Sequence, residues 1–194
     1  MKGIILDGNQ KRRNKMAVAL FIKPEDVLRN SIMDGNIDVD KYIQFIKLSQ
    51  QIDIQNIIGT SLYNKISSLI TSGDIDLNDN AKYKTLLNDY IAPMLIWFSQ
   101  VNIIPFIAYQ IRNGGIFKHS SDTAETVSKN EVDYLVEKAR TNAEWYQRRF
   151  QSYMDFNQSS YPEFTNNTND QISPTNESTF NGWVLWDINL KRII

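Results

Sequence analysis

The sequence predicts a mainly α-helical bundle with extended N- and C-terminal arms and a short C-terminal strand. Three observations predict it. Apolar residues recur at helical spacing through the middle of the chain, as in Val39, Tyr42, Ile43 and Ile46, or Tyr83, Leu86, Leu87 and Tyr90. Glycines punctuate these runs at Gly59, Gly73 and Gly114-Gly115. After residue 156 the composition turns to Asn, Ser and Thr, and the chain closes on an alternating apolar segment. The resulting division is an N-terminal arm over 1–23, a helical domain over 24–156, and a polar linker with a C-terminal strand arm over 157–194.

The N-terminal arm carries a basic cluster, Lys11, Arg12, Arg13 and Lys15. It reads as a solvated arm; contact with nucleic acid or a partner is the alternative. Residues 17–23, AVALFIK, are short and apolar and end at Pro24, which predicts a strand. Pro24, Glu25 and Asp26 suit the first turn of a helix over 24–30. Asp34 to Asp38 read as a turn, after which Asp38 or Asp40 caps a helix running to about Ile58. Phe45, Leu48 and Ile52 widen its apolar stripe. Gly59 breaks it, Thr60 or Ser61 caps the next helix, and Leu62, Ile66, Leu69 and Ile70 form that helix's inner face up to Gly73.

Residues 74–80 are a polar loop, and a long helical region begins near Ala81. Pro93 is expected to kink it. No charged residue occurs from Tyr90 to Ile111, a length that could cross a bilayer, but Pro93, Gln100, Asn102, Pro105 and Gln110 favour a buried core helix. The region is expected to continue toward Asn113. The last helix opens with a capping-box pattern, Ser128 and Glu131. Its predicted inner face is Val132, Leu135, Val136, Ala139, Ala143, Tyr146, Phe150 and Tyr153. Over 129–156 it would be on the order of 40 Å long.

Composition and motifs exclude more chemistry than they suggest. The chain has 194 residues, 42% hydrophobic and 22% charged, with a net charge of −1, so bulk charge gives no case for nucleic-acid binding. There is no cysteine, which removes thiolate nucleophiles and zinc-thiolate sites, and the single histidine, His119, precludes a multi-histidine metal site within one chain. Two acidic stretches begin like calcium loops, Asp34-Asn36-Asp38 and Asp74-Asp76-Asn78. Both fail where glycine and glutamate are required, at Val39 and Phe45 in one and Asp79 and Thr85 in the other. His119 beside Ser120, Ser121 and Asp122 reads as a loop histidine, because a triad is built in space rather than from adjacent residues. No phosphate-loop pattern surrounds Gly114-Gly115. The expectation is therefore no enzyme, no cofactor and no metal.

The C-terminal arm stands out. Trp183, Val184, Leu185, Trp186, Ile188 and Leu190 follow a linker of about two dozen residues too poor in aliphatics to fold alone. Such a segment either folds back on its own helices or adds to a neighbour's sheet or groove. The second is the expectation adopted: these residues form a subunit interface, with the linker as tether.

The stretch IDVDKYIQFIKLSQQIDIQNIIGTSLYNKISSLI, then YKTLLNDYIAPMLIWFSQVNIIPFIAYQIRNGGI, then SKNEVDYLVEKARTNAEWYQRRFQSYM resembles the head-to-tail connector (adaptor) proteins of tailed bacteriophages, and within them the ring proteins of crAss-like phages. The likeness spans residues 37–156 and rests on core and turn residues, none of them catalytic. It implies a connector-like helical bundle that assembles with itself into a ring, usually of twelve copies. That ring would contact the portal protein and neighbouring tail proteins and pass genomic DNA through its lumen without sequence-specific binding. It also implies a place in the virion, at the head-to-tail junction, for a protein made in the host cytoplasm, with no membrane involved. The competing reading is a soluble helical binding or regulatory module that takes a protein or peptide partner.

Overall fold

The computed structural model describes residues 19–30, 39–112, 115–118, 128–166 and 172–175. Lys11, Arg12, Arg13, Lys15, the turn at 34–38, His119 and the arm from Trp183 to Leu190 lie outside them.

Helix α1, Pro24–Arg29, forms where Pro24 and the acidic first turn predict it, and Asp26 accepts a hydrogen bond from the Lys23 amide at 3.0 Å. The strand expected just before it is absent from the described part, residues 19–23. There the amide of Phe21 donates to Gln50 Oε1 at 2.9 Å, and Gln50 Nε2 donates to the Ala19 carbonyl at 2.8 Å. One buried side-chain amide thus satisfies the backbone that a neighbouring strand would otherwise pair. Gln50 also donates to the Tyr63 hydroxyl at 3.0 Å.

Helix α2, Val39–Ser49, runs through a π turn at Gln50–Ile54 into α3, Gln55–Ile58. Gly59 then reverses the chain at φ 78°, and α4, Thr60–Ser72, begins with Gly59 itself as its N-cap rather than Thr60 or Ser61. Gly73 ends α4 in the left-handed conformation, φ 79°. The acidic loop forms two 3₁₀ turns. Asp74 accepts from the Ser72 hydroxyl at 2.7 Å and Asp76 pairs with Lys84 at 2.9 Å, so these carboxylates serve the turn.

Helix α5, Ala81–Leu86, passes through a second π turn, Leu87–Ile91, into α6, Ala92–Ala108. This turn sits directly before Pro93, where the extra residue resets the hydrogen-bond register around a residue that has no amide hydrogen. The helical run is long and apolar enough to cross a membrane by composition. Met94, Leu95, Phe98 and Ile103 of α6 are buried in the protein's own core. Helix α6 ends five residues before the expected stop at Asn113. Tyr109–Arg112 (β1) instead pairs antiparallel with Gly115–Lys118 (β2), Arg112 opposite Gly115. The period-2 signal there is only four residues long and is masked by the apolar run preceding it.

Helix α7, Lys129–Asn157, opens with the capping box its sequence predicts: the Ser128 amide donates to Glu131 Oε2 at 2.7 Å and Glu131 N donates to Ser128 Oγ at 3.4 Å. It packs along α6, which also receives α2 and α1. Phe45 meets Phe106 and Ser49 meets Asn102, so α2 and α6 run antiparallel. The buried set of the bundle includes Tyr42, Ile46, Leu62, Leu86, Ala139 and Phe150. Tyr90 and Tyr146 are partly buried against it. Leu135 is exposed, contrary to expectation. The inner face of α7 is Val132, Ala139, Ala143, Phe150, Gln151 and Met154, and Leu135 falls to its side.

The expected linker is in its described part an integral piece of the helical body. Helix α8, Pro162–Thr165, buries Phe164, and Tyr161 just before it is fully buried. Tyr161 donates to the Lys82 carbonyl at 3.0 Å, and Tyr83 donates to Glu163 at 2.9 Å. Burial first, then the partners Glu163 and Tyr153 respectively, push both phenols above their usual range. Residues 172–175 form a strap across the Gly59 break: Thr60 N donates to the Ile172 carbonyl at 3.0 Å, and Thr175 donates to the Asn56 carbonyl through its amide at 3.2 Å and its hydroxyl at 2.9 Å. The body therefore extends well past 156. A few aromatics and backbone bonds suffice to hold a segment poor in aliphatics.

Candidate functional site

Helix α7 carries aromatic rings on the side opposite its core face. Tyr134 is 69% exposed, Trp145 53% and Phe156 88%. They recur at an interval of eleven residues, about three helical turns, so all three share one face over roughly 33 Å. Lys138, Thr141, Arg148 and Ser152, all exposed, lie between them on that face. The Trp145 indole stands edge-on to Tyr146, with centroids 4.9 Å apart and planes at 89°, so a partly buried neighbour sets its position. Large rings in water are costly when they lie along one line, and aromatic and arginine side chains are the preferred anchors of protein interfaces. The interval of eleven residues is legible in the sequence, but apolar spacing alone marks only the inner face of α7 and does not single out this outer row.

Two further features of the described residues bear on chemistry. An open cleft of about 300 Å³ lies between α1, the α5–α6 run and α7, lined in part by Asp26, Asn30, Pro93, Trp97 and Tyr146. Asp26 is its one carboxylate, and it is already engaged by the Lys23 amide. The second feature is Asp53, on the first π turn. Burial raises its carboxyl from an ordinary 3.8 to about 6, against the lowering pull of the Arg140 charge and hydrogen bonds from Asn102 and Ser49. Its Oδ2 is buried with no hydrogen-bond partner. Among the described residues there is no group of three or more His, Cys, Asp or Glu side chains placed to hold a metal ion.

The residues expected from sequence to form interfaces lie outside the described part, both the basic arm (Lys11, Arg12, Arg13, Lys15) and the C-terminal arm (Trp183, Val184, Leu185, Trp186, Ile188, Leu190). The comparison with known families turns on the body instead. Residues 54–173, more than half of the chain, match the model of a family described as a family of unknown function, DUF6712. The chain belongs to this family. No curated protein and no solved structure matches it. The DUF6712 region starts at Ile54, the last residue of the first π turn, and ends at Ser173 within the strap. It therefore takes in Gly59, α4 to α8 and all three rings of the outer row.

Proposed function

We propose that this chain is a structural assembly subunit, one copy of a homo-oligomeric ring in the head-to-tail connector of a tailed phage. In this reading the ring joins the portal to the tail proteins in the virion and lets DNA pass through its lumen. It needs no cofactor, carries out no catalysis and has no membrane role. The observation that carries an assembly role is the row Tyr134, Trp145 and Phe156 on the outside of the longest helix. Support for the connector setting comes from the sequence resemblance over residues 37–156. The near-zero net charge suits a channel that must not grip DNA. A ring is built from a heterologous contact that closes, so each subunit offers two different faces, and the aromatic row serves as one of them.

The test is the solution mass of the full chain by light scattering, with negative-stain imaging. Rings at a multiple of the 22.5 kDa subunit are expected. Trp145→Glu is expected to lower the mass while leaving helical circular dichroism unchanged, because Trp145 lies outside the core. A chain that stays monomeric at every concentration and does not bind purified portal protein overturns the proposal. In that case the open cleft beside Trp97 makes a peptide-binding module the better reading.

A further inference from the structure

We propose that the open cleft between α1, the α5–α6 run and α7 receives one arginine side chain of a partner protein. This does not rest on the ring reading. What selects the occupant is the wall of the cleft, which offers hydrogen-bond acceptors and aromatic surface.

Pro93 creates the first acceptor. At the second π turn the Ala92 amide donates to the Leu87 carbonyl, five residues back. It is therefore not given to Asn88, and the next residue, Pro93, has no amide hydrogen. The Asn88 carbonyl is left without a helical partner, and Asn88 and Pro93 both line the cleft. The Asp89 carbonyl loses its donor to the same proline, which stands four residues later. Arg149 fills that gap. Its Nη1 donates to the Asp89 carbonyl at 3.1 Å, and its guanidinium lies 4.8 Å from the Tyr90 ring centre. One guanidinium thus already serves a carbonyl orphaned by Pro93, with an aromatic ring beside it.

The cleft repeats this arrangement one residue earlier and adds a carboxylate. Trp97 and Tyr146, both partly buried, supply aromatic surface. Asp26 gives Oδ2 to the Lys23 amide, and its Oδ1 has no hydrogen-bond partner among the described residues. Asn30 donates its side-chain amide to the Asp26 carbonyl at 2.8 Å, which leaves its Oδ1 as a further acceptor. Gln100 Nε2 donates to the Asn30 carbonyl at 3.3 Å, and Val27 is fully buried, so α1 is fixed against α6. No cationic side chain is among the residues that line the cleft. A planar guanidinium matches such a wall, because its donors spread to separate acceptors and its face stacks on rings. An ammonium is a compact point charge and fits less well. About 300 Å³ lies at the floor of the range for small-molecule pockets, roughly 300–1,000 Å³. An open cleft of that size suits a side chain entering from a partner's surface.

The test titrates the full chain with N-acetyl-arginine amide and with its lysine and citrulline counterparts. NMR follows the Trp97 indole and the side-chain amides of Asn30 and Asn88. Saturable shifts are expected with the arginine probe, weaker ones with lysine and none with neutral citrulline. Asp26→Asn keeps an oxygen for the Lys23 amide and removes the charge. It is expected to weaken arginine binding by about tenfold, as for loss of a charge-assisted hydrogen bond, with circular dichroism unchanged. Trp97→Leu tests the stacking separately and should weaken binding by roughly two- to fivefold. No shift with arginine, an equal response to citrulline, or binding that Asp26→Asn leaves intact overturns the inference. Free arginine that binds more tightly than the blocked probe also overturns it, because the site would then read a whole amino acid. A solution mass that falls in Asp26→Asn does the same, because a second copy would then fill the cleft. A monomeric parent chain that binds the arginine probe as described supports this inference while the ring reading fails.

Discussion

Pro174 lies so close over Gly59 that a β-carbon on Gly59 would stand 2.7 Å from both its Cδ and its Cγ. The contact joins the break between α3 and α4 to a strap more than a hundred residues later in the chain. Gly59 is needed twice there, for its φ of 78° with ψ of 154° and for the absence of a side chain under the proline ring.

Gly59→Ala is therefore expected to destabilise the fold by about 1–3 kcal/mol, because that backbone region is close to glycine-only, and to loosen the strap. Gly73→Ala is the control. Its φ is 79°, but nothing lies within 4 Å of the added carbon. Gly73 has ψ 3°, a left-handed conformation that alanine enters more readily than that of Gly59, so denaturant melts of both variants, with hydrogen exchange at Thr60 and Thr175, measure how much more strain and clash together cost at Gly59. If Gly59→Ala costs no more than Gly73→Ala and leaves both amides protected, the strap does not rest on Gly59 as described.

Asp53 should make stability depend on pH. Its folded-state value, about 6, lies above the ordinary 3.8, so between these values the folded chain holds more of this proton than the unfolded chain does. The contribution of Asp53 to stability is thus most favourable below about pH 4, declines as pH rises through that window, and is flat above it. Asp53→Asn removes the buried charge and keeps the shape. It is expected to raise the melting temperature by about 2–4 °C at pH 7, for a change on the order of 1 kcal/mol once solvent screening at this partly exposed site is allowed for, and to make no difference at pH 4. Thermal melts at the two pH values check this. A variant less stable than the parent at pH 7 would show that the Arg140 attraction outweighs burial.

Helix α7 gives a third comparison. Phe150 is fully buried, whereas Leu135 is exposed. Phe150→Ala is expected to cost about 3–5 kcal/mol, and Leu135→Ala no more than about 0.5–1 kcal/mol. Urea unfolding monitored by circular dichroism measures both. Equal costs would mean that α7 faces the bundle through a different stripe.

The sequence by itself determined what depends on a few adjacent residues. Pro24, Gly59, Gly73 and the Ser128–Glu131 box mark helix ends because the backbone conformations and caps they favour are local. Tyr42, Ile46, Leu62 and Leu86 read as core because several apolar neighbours at helical spacing reinforce one another. Only tertiary structure decided the remainder, because the partners are distant in sequence. Leu135 and Phe150 are both apolar residues on one helix, and the direction from which α6 approaches α7 places one outside and the other inside. Gln50 looks like a surface residue until Ala19, Phe21 and Tyr63 surround it, and residues 157–166 and 172–175 look like parts of a tether until Lys82, Tyr83, Asn56 and Gly59 receive them. The outer row of Tyr134, Trp145 and Phe156 was present in the sequence as an interval. Its meaning came from burial, since the same spacing on the other side of the helix would have been core.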